Sequence, residues 1–290
     1  MKLTLPLNLD RQLASWNRTL LRMLEESGLF EVERSASLPQ LSPRQYGRLT
    51  GNLCVVALDD TLVAICSWDT AAPASRTYED GLWKPGGLFA DVRLLLKLQM
   101  QRGERYWEAF TAATGVPVSP WTIWPAAEWT LGCFKWHDAC HEFQGAVTGV
   151  MRYGRGAYFE AARADPGWYT SDDPKDKDWN RYVEAIKQCR WGVSLKGRKG
   201  SDGKNRREIE YASCGMPLAL NYQPFYPFPF EPGVHYVYLQ SPDDMLALQD
   251  IDPQPFAAAA AQVYRDYWSP AGMARLFVRL VEQHCGSRCT

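Results

Sequence analysis

The stretch WGVSLKGRKGSDGKNRREIEYASCGMPLALNY, residues 191–222, decides how this chain is organised. WGVSL predicts a strand. KGRKGSDGKN is a glycine-rich loop, RREIEYASC a short helix stopped by Gly215, and MPLALNY the next strand. Strand, loop, helix and strand in this order make one parallel βαβ unit with a right-handed crossover. Ligands of open α/β sheets bind beyond the carboxyl ends of the strands, and the loop Lys196–Asn205 leaves that end and runs into a helix start. Gly197, Gly200 and Gly203 permit close backbone approach. Free amides at the helix start, with Lys196, Arg198, Lys204, Arg206 and Arg207 around them, would attract phosphate oxygens.

Charge concentrates here. Between Arg190 and Arg207 seven basic residues face one acid, Asp202, so the segment carries +6 while the whole chain carries −1 and the remainder therefore −7. A protein gripping a long polyanion over its whole surface would be far more basic. A small anionic ligand suits this local asymmetry better.

The same alternation extends outward through the 290 residues. Strands are predicted at MKLTLPL, LFEVERS, NLCVVALDD, TLVAICSWD, GAVTGVM and HYVYL. Helices are predicted over residues 10–26, in YFEAARADPG, from Asp178 to about Gln188, over 242–249 and 253–267, and from Ser269 to His284. Residues 88–100 fit strand and helix equally, VPVSPWTIWP suits only an edge or a loop, and the Asp-rich stretch 165–178 predicts an exposed loop. The expected class is α/β, with an N-terminal domain over 1–145, a ligand-binding domain over 146–268, and a C-terminal helix and tail over 269–290.

Composition narrows the function classes. Hydrophobic residues at 46% and aromatic ones at 13% exclude intrinsic disorder. No apolar run reaches the 18 or so residues of a membrane span, and MKLTLPLNLDRQL lacks the apolar core of a secretory signal, so the expectation is a cytoplasmic protein, bacterial or made in a virus-infected cell. The eight cysteines show no compact disulfide framework and predict buried, reduced thiols. Neither familiar phosphate loop is present. Gly197 and Gly203 stand one residue too far apart for G-x-x-x-x-G-K with Ser or Thr, and G-x-G-x-x-G is absent.

The helix continues as Glu210-Tyr211-Ala212-Ser213-Cys214-Gly215-Met216-Pro217-Leu218. In this run the chain resembles the donor-binding domain of GT-B glycosyltransferases, where a glutamate opens a short helix ending in small residues, Gly and Pro before an apolar strand. Glu231-Pro232-Gly233-Val234-His235-Tyr236-Val237-Tyr238-Leu239, followed by Ser241-Pro242-Asp243-Asp244, is similar to a later family segment. Val147-Thr148-Gly149 with Arg152 is similar to the opening strand. The resemblance covers residues 145–285 and is closest to exostosin-like and protein O-glucosyltransferase-like domains, alongside group 1 glycosyl transferases. It implies two Rossmann-like domains facing a cleft and a last helix crossing back to the first. It also implies a nucleotide-sugar donor, a UDP- or GDP-sugar, as co-substrate with no separate cofactor and no metal. Lys196, Gly197, Arg198, Lys204, Arg206 and Arg207 would hold the diphosphate and Glu210 the ribose. Asp202, eight positions before Glu210, stands where retaining members often carry a second acid.

The acceptor implied is a hydroxyl of a glycan or glycoconjugate. Two alternatives stay open: a hydroxymethylated DNA base, as for virus-encoded transferases of this architecture, and a non-catalytic nucleotide or nucleic-acid binding module. An inverting reaction needs a base on the acceptor side, for which Asp69 and then Asp91 are the candidates, although an aspartate ending a strand, like Asp59 or Asp60, equally suits a turn. Cys133, His137, Cys140 and His141 cluster without a usual zinc spacing, and Phe134 and Trp136 among them suit packing. Trp121, Trp124, Trp129 and Trp136 suit either sugar stacking or a core.

Overall fold

A computed structural model describes residues 1–7, 15–39, 53–67, 89–98, 105–122, 147–152, 156–171, 186, 189–196 and 206–286. The strands are β1 (Lys2–Pro6), β2 (Glu31–Ser35), β3 (Leu53–Leu58), β4 (Thr61–Cys66), β5 (Val92–Lys97), β6 (Val118–Pro120), β7 (Val147–Arg152), β8 (Trp168–Ser171), β9 (Cys189–Ser194), β10 (Leu218–Leu220) and β11 (Val237–Tyr238). The α-helices are α1 (Ser15–Glu26), α2 (Arg105–Thr114), α3 (Ala157–Ala164), α4 (Arg206–Ser213), α5 (Pro242–Leu246), α6 (Gln254–Val263) and α7 (Pro270–Cys285).

The first sheet has six strands in the order β2-β1-β3-β4-β5-β6. All run parallel except β3, which is antiparallel to both neighbours. Asp59 and Asp60 form the tight β3–β4 turn. Asp59 takes a left-handed φ of 49°, which a short polar side chain tolerates, and its carboxylate accepts the Lys2 backbone N–H at 2.8 Å. The stretch that fitted strand and helix equally contains β5. Flanked on both edges and covered on both faces, it carries an unbroken apolar run, Leu94–Leu96, between Arg93 and Lys97, so no alternation marks it. β6 takes the edge that its prolines require.

One face of this sheet packs Leu3, Leu5, Val56, Ile65, Leu94 and Leu96 into a cluster with Leu20 and Leu24 of α1 and Phe277 and Val281 of α7. The opposite face packs Val55, Ala64 and Leu95 under Trp107 and Phe110 of α2, a helix absent from the sequence-based expectations. The last helix thus crosses back to the first sheet, as expected. A five-residue π-helical turn, Tyr264–Trp268, precedes it, and Trp268 Nε1 donates to Thr122 Oγ1 at 2.7 Å just beyond β6. Trp121 lies fully buried edge-on to Phe277, so it belongs to the core. Trp124, Trp129 and Trp136, with the Cys133–His141 cluster, lie outside the described residues.

The second sheet is parallel throughout, in the order β11-β10-β9-β7-β8. This is a doubly wound order, with its reversal point between β7 and β9. The predicted βαβ unit is β9-α4-β10. One expectation needs correcting: within 165–178, Trp168–Ser171 is not loop but the edge strand β8. The Trp168 ring lies where a Cβ on Gly149 of β7 would come within 2.4 Å, so aromatic packing on a bare strand anchors this edge despite the surrounding aspartates. Ser241 and Asp244 form a reciprocal capping box on α5, and the backbone N–H groups of Gln240 and Ser241 hold the Asp244 carboxyl below its usual range.

Cys54, Cys66, Cys189 and Cys214 are buried, in keeping with thiols acting as small hydrophobes, and burial pushes Cys54 and Cys189 up to about 12. No described helix is long and apolar enough to cross a membrane.

Candidate functional site

The carboxyl end of β9 lies beside the reversal point of the second sheet, where a doubly wound fold places its ligand. Ser194 ends the strand, and exposed Lys196 opens the basic loop. The Lys196 backbone N–H donates to Asn221 Oδ1 at 2.6 Å, one residue beyond β10. Gly197, Arg198 and Lys204 fall outside the described residues, and the chain is described again from Arg206, the first residue of α4.

α4 is eight residues long, and only Arg206 and Arg207 are partly exposed; Glu208 to Ser213 are buried. Tyr211 sets the helix on the sheet. Its ring lies so close to β9 that a Cβ on Gly192 would sit 2.5 Å from two ring carbons. Arg206 and Arg207 precede Glu210 by four and three residues, which places both cations and that acid on one face. Two glutamates within one short buried helix are costly unless each carboxylate meets partners.

For Glu208 the partners are explicit. It is fully buried and accepts hydrogen bonds from two phenols: Tyr222 OH at Oε1, and Tyr226 OH at Oε2 at 2.7 Å. The Tyr222 oxygen, its own proton committed to Glu208, in turn accepts from Ser194 Oγ at 3.0 Å. Burial, then the charge of Glu208, pushes the Tyr222 phenol well above its ordinary value. The folded state therefore keeps that proton when the unfolded chain, titrating near about 10, has lost it. Stability contributed by Tyr222 is complete below that value and falls as pH rises past it. Tyr222→Phe is expected to flatten the decline of melting temperature between about pH 9 and 11; an unchanged slope would assign the decline elsewhere.

The sequence reading selected Glu210 and passed over Glu208, Tyr222, Tyr226 and Ser194. The available signal was RREIEY itself: a carboxylate two residues before Glu210 lies about 200° around the helix, so the two acids cannot share one environment. It also passed over Lys97, a fully buried cation at the carboxyl end of β5, with Nζ 6.0 Å from the Trp107 ring.

The aspartates separate by sheet edge. The carboxyl ends of β4, β5 and β6 gather at Cys66, Lys97 and Pro120. Asp91 is exposed and precedes Val92, the first residue of β5, so it lies at the opposite, amino edge, as do the turn residues Asp59 and Asp60 before β4. The structure does not bring Asp91 to the carboxyl edge. Asp69 follows the end of β4 but lies outside the described residues. Among the described residues no three His, Cys, Asp or Glu side chains group as metal ligands.

No family model and no curated protein matches the sequence. Solved structures are remotely similar, among them the following three. TarM matches over 66% of this chain and 44% of its own, at 13% identity and a TM-score of 0.40. The GtfA/B complex matches over 90% and 54%, at 11% and 0.43. AviGT4, a glycosyltransferase involved in avilamycin A biosynthesis, matches over 93% and 89%, at 14% and 0.40. The chain thus spans about half the length of the first two.

Proposed function

We propose that the chain is a GT-B-like glycosyltransferase that binds a nucleotide-sugar through its second sheet and passes the sugar to a hydroxyl of a glycan or glycoconjugate. The observation that carries this reading is the placement of Arg206, Arg207 and Glu210 on one face of α4, beyond the carboxyl end of β9 at the reversal point of a parallel sheet. The crossing of α7 to the first sheet supports the same architecture. Residues 1–145 would receive the acceptor and 146–268 the donor.

In this reading the loop from Lys196 through Lys204, with Arg206 and Arg207, grips the diphosphate, and Glu210 bonds ribose hydroxyls. Cations gathered at this strand end would meet the negative charge developing on the leaving nucleoside diphosphate and so stabilise the transition state more than the ground state. Asp69, three residues beyond the last residue of β4, is the proposed base for the acceptor hydroxyl.

The test is a thermal-shift screen of UDP, GDP and their sugars. One nucleoside diphosphate is expected to raise the melting temperature, and its sugar to be hydrolysed slowly without acceptor. No shift with any of them would remove the donor site. Steeply salt-dependent binding to duplex DNA would redirect the acceptor to a modified base.

A further inference from the structure

The basic loop leaves the second sheet at Lys196 and rejoins described structure at Arg206, and both stems are tied to one short segment. At the outgoing stem, the Lys196 backbone N–H donates to Asn221 Oδ1. At the returning stem, Glu208 of the first turn of α4 accepts from Tyr222 and Tyr226. Ser194, two residues before Lys196, donates to the same Tyr222 oxygen, so a single phenol bridges the end of β9 and the start of α4. These groups are buried apart from the Lys196–Asn221 pair near the surface. The segment is itself anchored: Tyr226 stacks on Phe228, and Phe228 on Tyr267 at a ring separation of 4.0 Å, with the Arg279 guanidinium over the far ring. Its footing is therefore the C-terminal helical pair rather than the loop it ties.

A carboxylate at this position is expensive as mere packing. Its desolvation is offset by two phenolic donors and by the positive end of α4, an arrangement that fixes angles as well as distances. We infer that Asn221, Tyr222 and Glu208 are positioning residues for the donor site: they hold the stems of the basic loop at a set separation, so that Lys196, Arg206 and Arg207 converge on one diphosphate. The inference rests on the donor-site reading, because it concerns what the ties are for.

Hydrogen–deuterium exchange on the full chain, with Tyr222→Phe and Asn221→Ala, separates the two. Each variant is expected to speed exchange at both stems, residues 194–196 and 206–210, while peptides from β3, β4 and β5 keep wild-type rates. Calorimetry with UDP, GDP and inorganic pyrophosphate is expected to show affinity lower by about tenfold in either variant. The double variant should lose less than the product of the single losses, because each opens the same tie. Faster exchange throughout the protein would mark the residues as ordinary core supports and overturn the inference. So would loosened stems with wild-type affinity, or losses that multiply. Should the wild type bind none of the three probes, the donor reading fails and the positioning role with it, whereas loosened stems would keep the tie as a feature of the fold.

Discussion

Replacing Arg207 and Glu210 together with alanine is expected to weaken the nucleoside diphosphate that stabilises the wild type by roughly a thousandfold. A hydrogen bond to a charged group contributes about 1.5–3 kcal/mol, and in the proposed donor site the pair would supply one such contact to a phosphate and one to a ribose hydroxyl. Because the two would contact different parts of the ligand, their losses should add. Glu210→Gln keeps an acceptor and should lose less than Glu210→Ala. Arg207→Lys keeps the charge but not the planar fork, and should fall between wild type and Arg207→Ala. Titration calorimetry measures all of these. Affinities within threefold of wild type for the double variant would show that this face of α4 does not meet the ligand.

The second large effect belongs to stability. Gly192→Ala places a methyl 2.5 Å from the Tyr211 ring carbons and 2.9 Å from Met216 Sδ. Both neighbours are fully buried, so neither can swing away. Overpacking of a filled core costs typically 1–3 kcal/mol, and the rigidity of a ring held between strand and helix puts this case near about 3 kcal/mol or above. Denaturant unfolding of Gly192→Ala, with Tyr211→Leu beside it, reads the effect: the double variant should recover part of the loss because leucine vacates the ring's space. A change below about 0.5 kcal/mol would mean that α4 moves off β9 freely. The two experiments meet in one helix, since whatever lifts Tyr211 also moves Arg206, Arg207 and Glu210.

Local chemistry accounts for much of what could be read in advance. β3 and β4 are short runs of β-branched and apolar residues, β1, β9 and β10 are short apolar-rich runs, and glycines follow α4 and α7, so propensity and punctuation suffice to find them. The basic glycine loop and its place between β9 and α4 follow from the same order. β5 could not be read, because a strand buried on both faces carries no period. β8 was hidden by the aspartates around it, since its stability comes from Trp168 lying over Gly149 on another strand.

The site divides in the same way. The amino-acid order alone determined that cations and an acid would gather at one strand end, because their spacing along α4 is a local matter. Only the tertiary structure decided which partners enclose Glu208. Glu208 meets phenols 14 and 18 residues away, and the second of them, Tyr226, packs on Trp268 and, through Phe228, on Tyr267 of the π-helical turn. It also decided that Asp91 lies at the amino edge of the first sheet, because strand direction depends on partners distant in the chain. Hydrogen-bond ladders and the phenols around a buried carboxylate join residues that no local pattern relates, so these properties exist only once the chain has closed on itself.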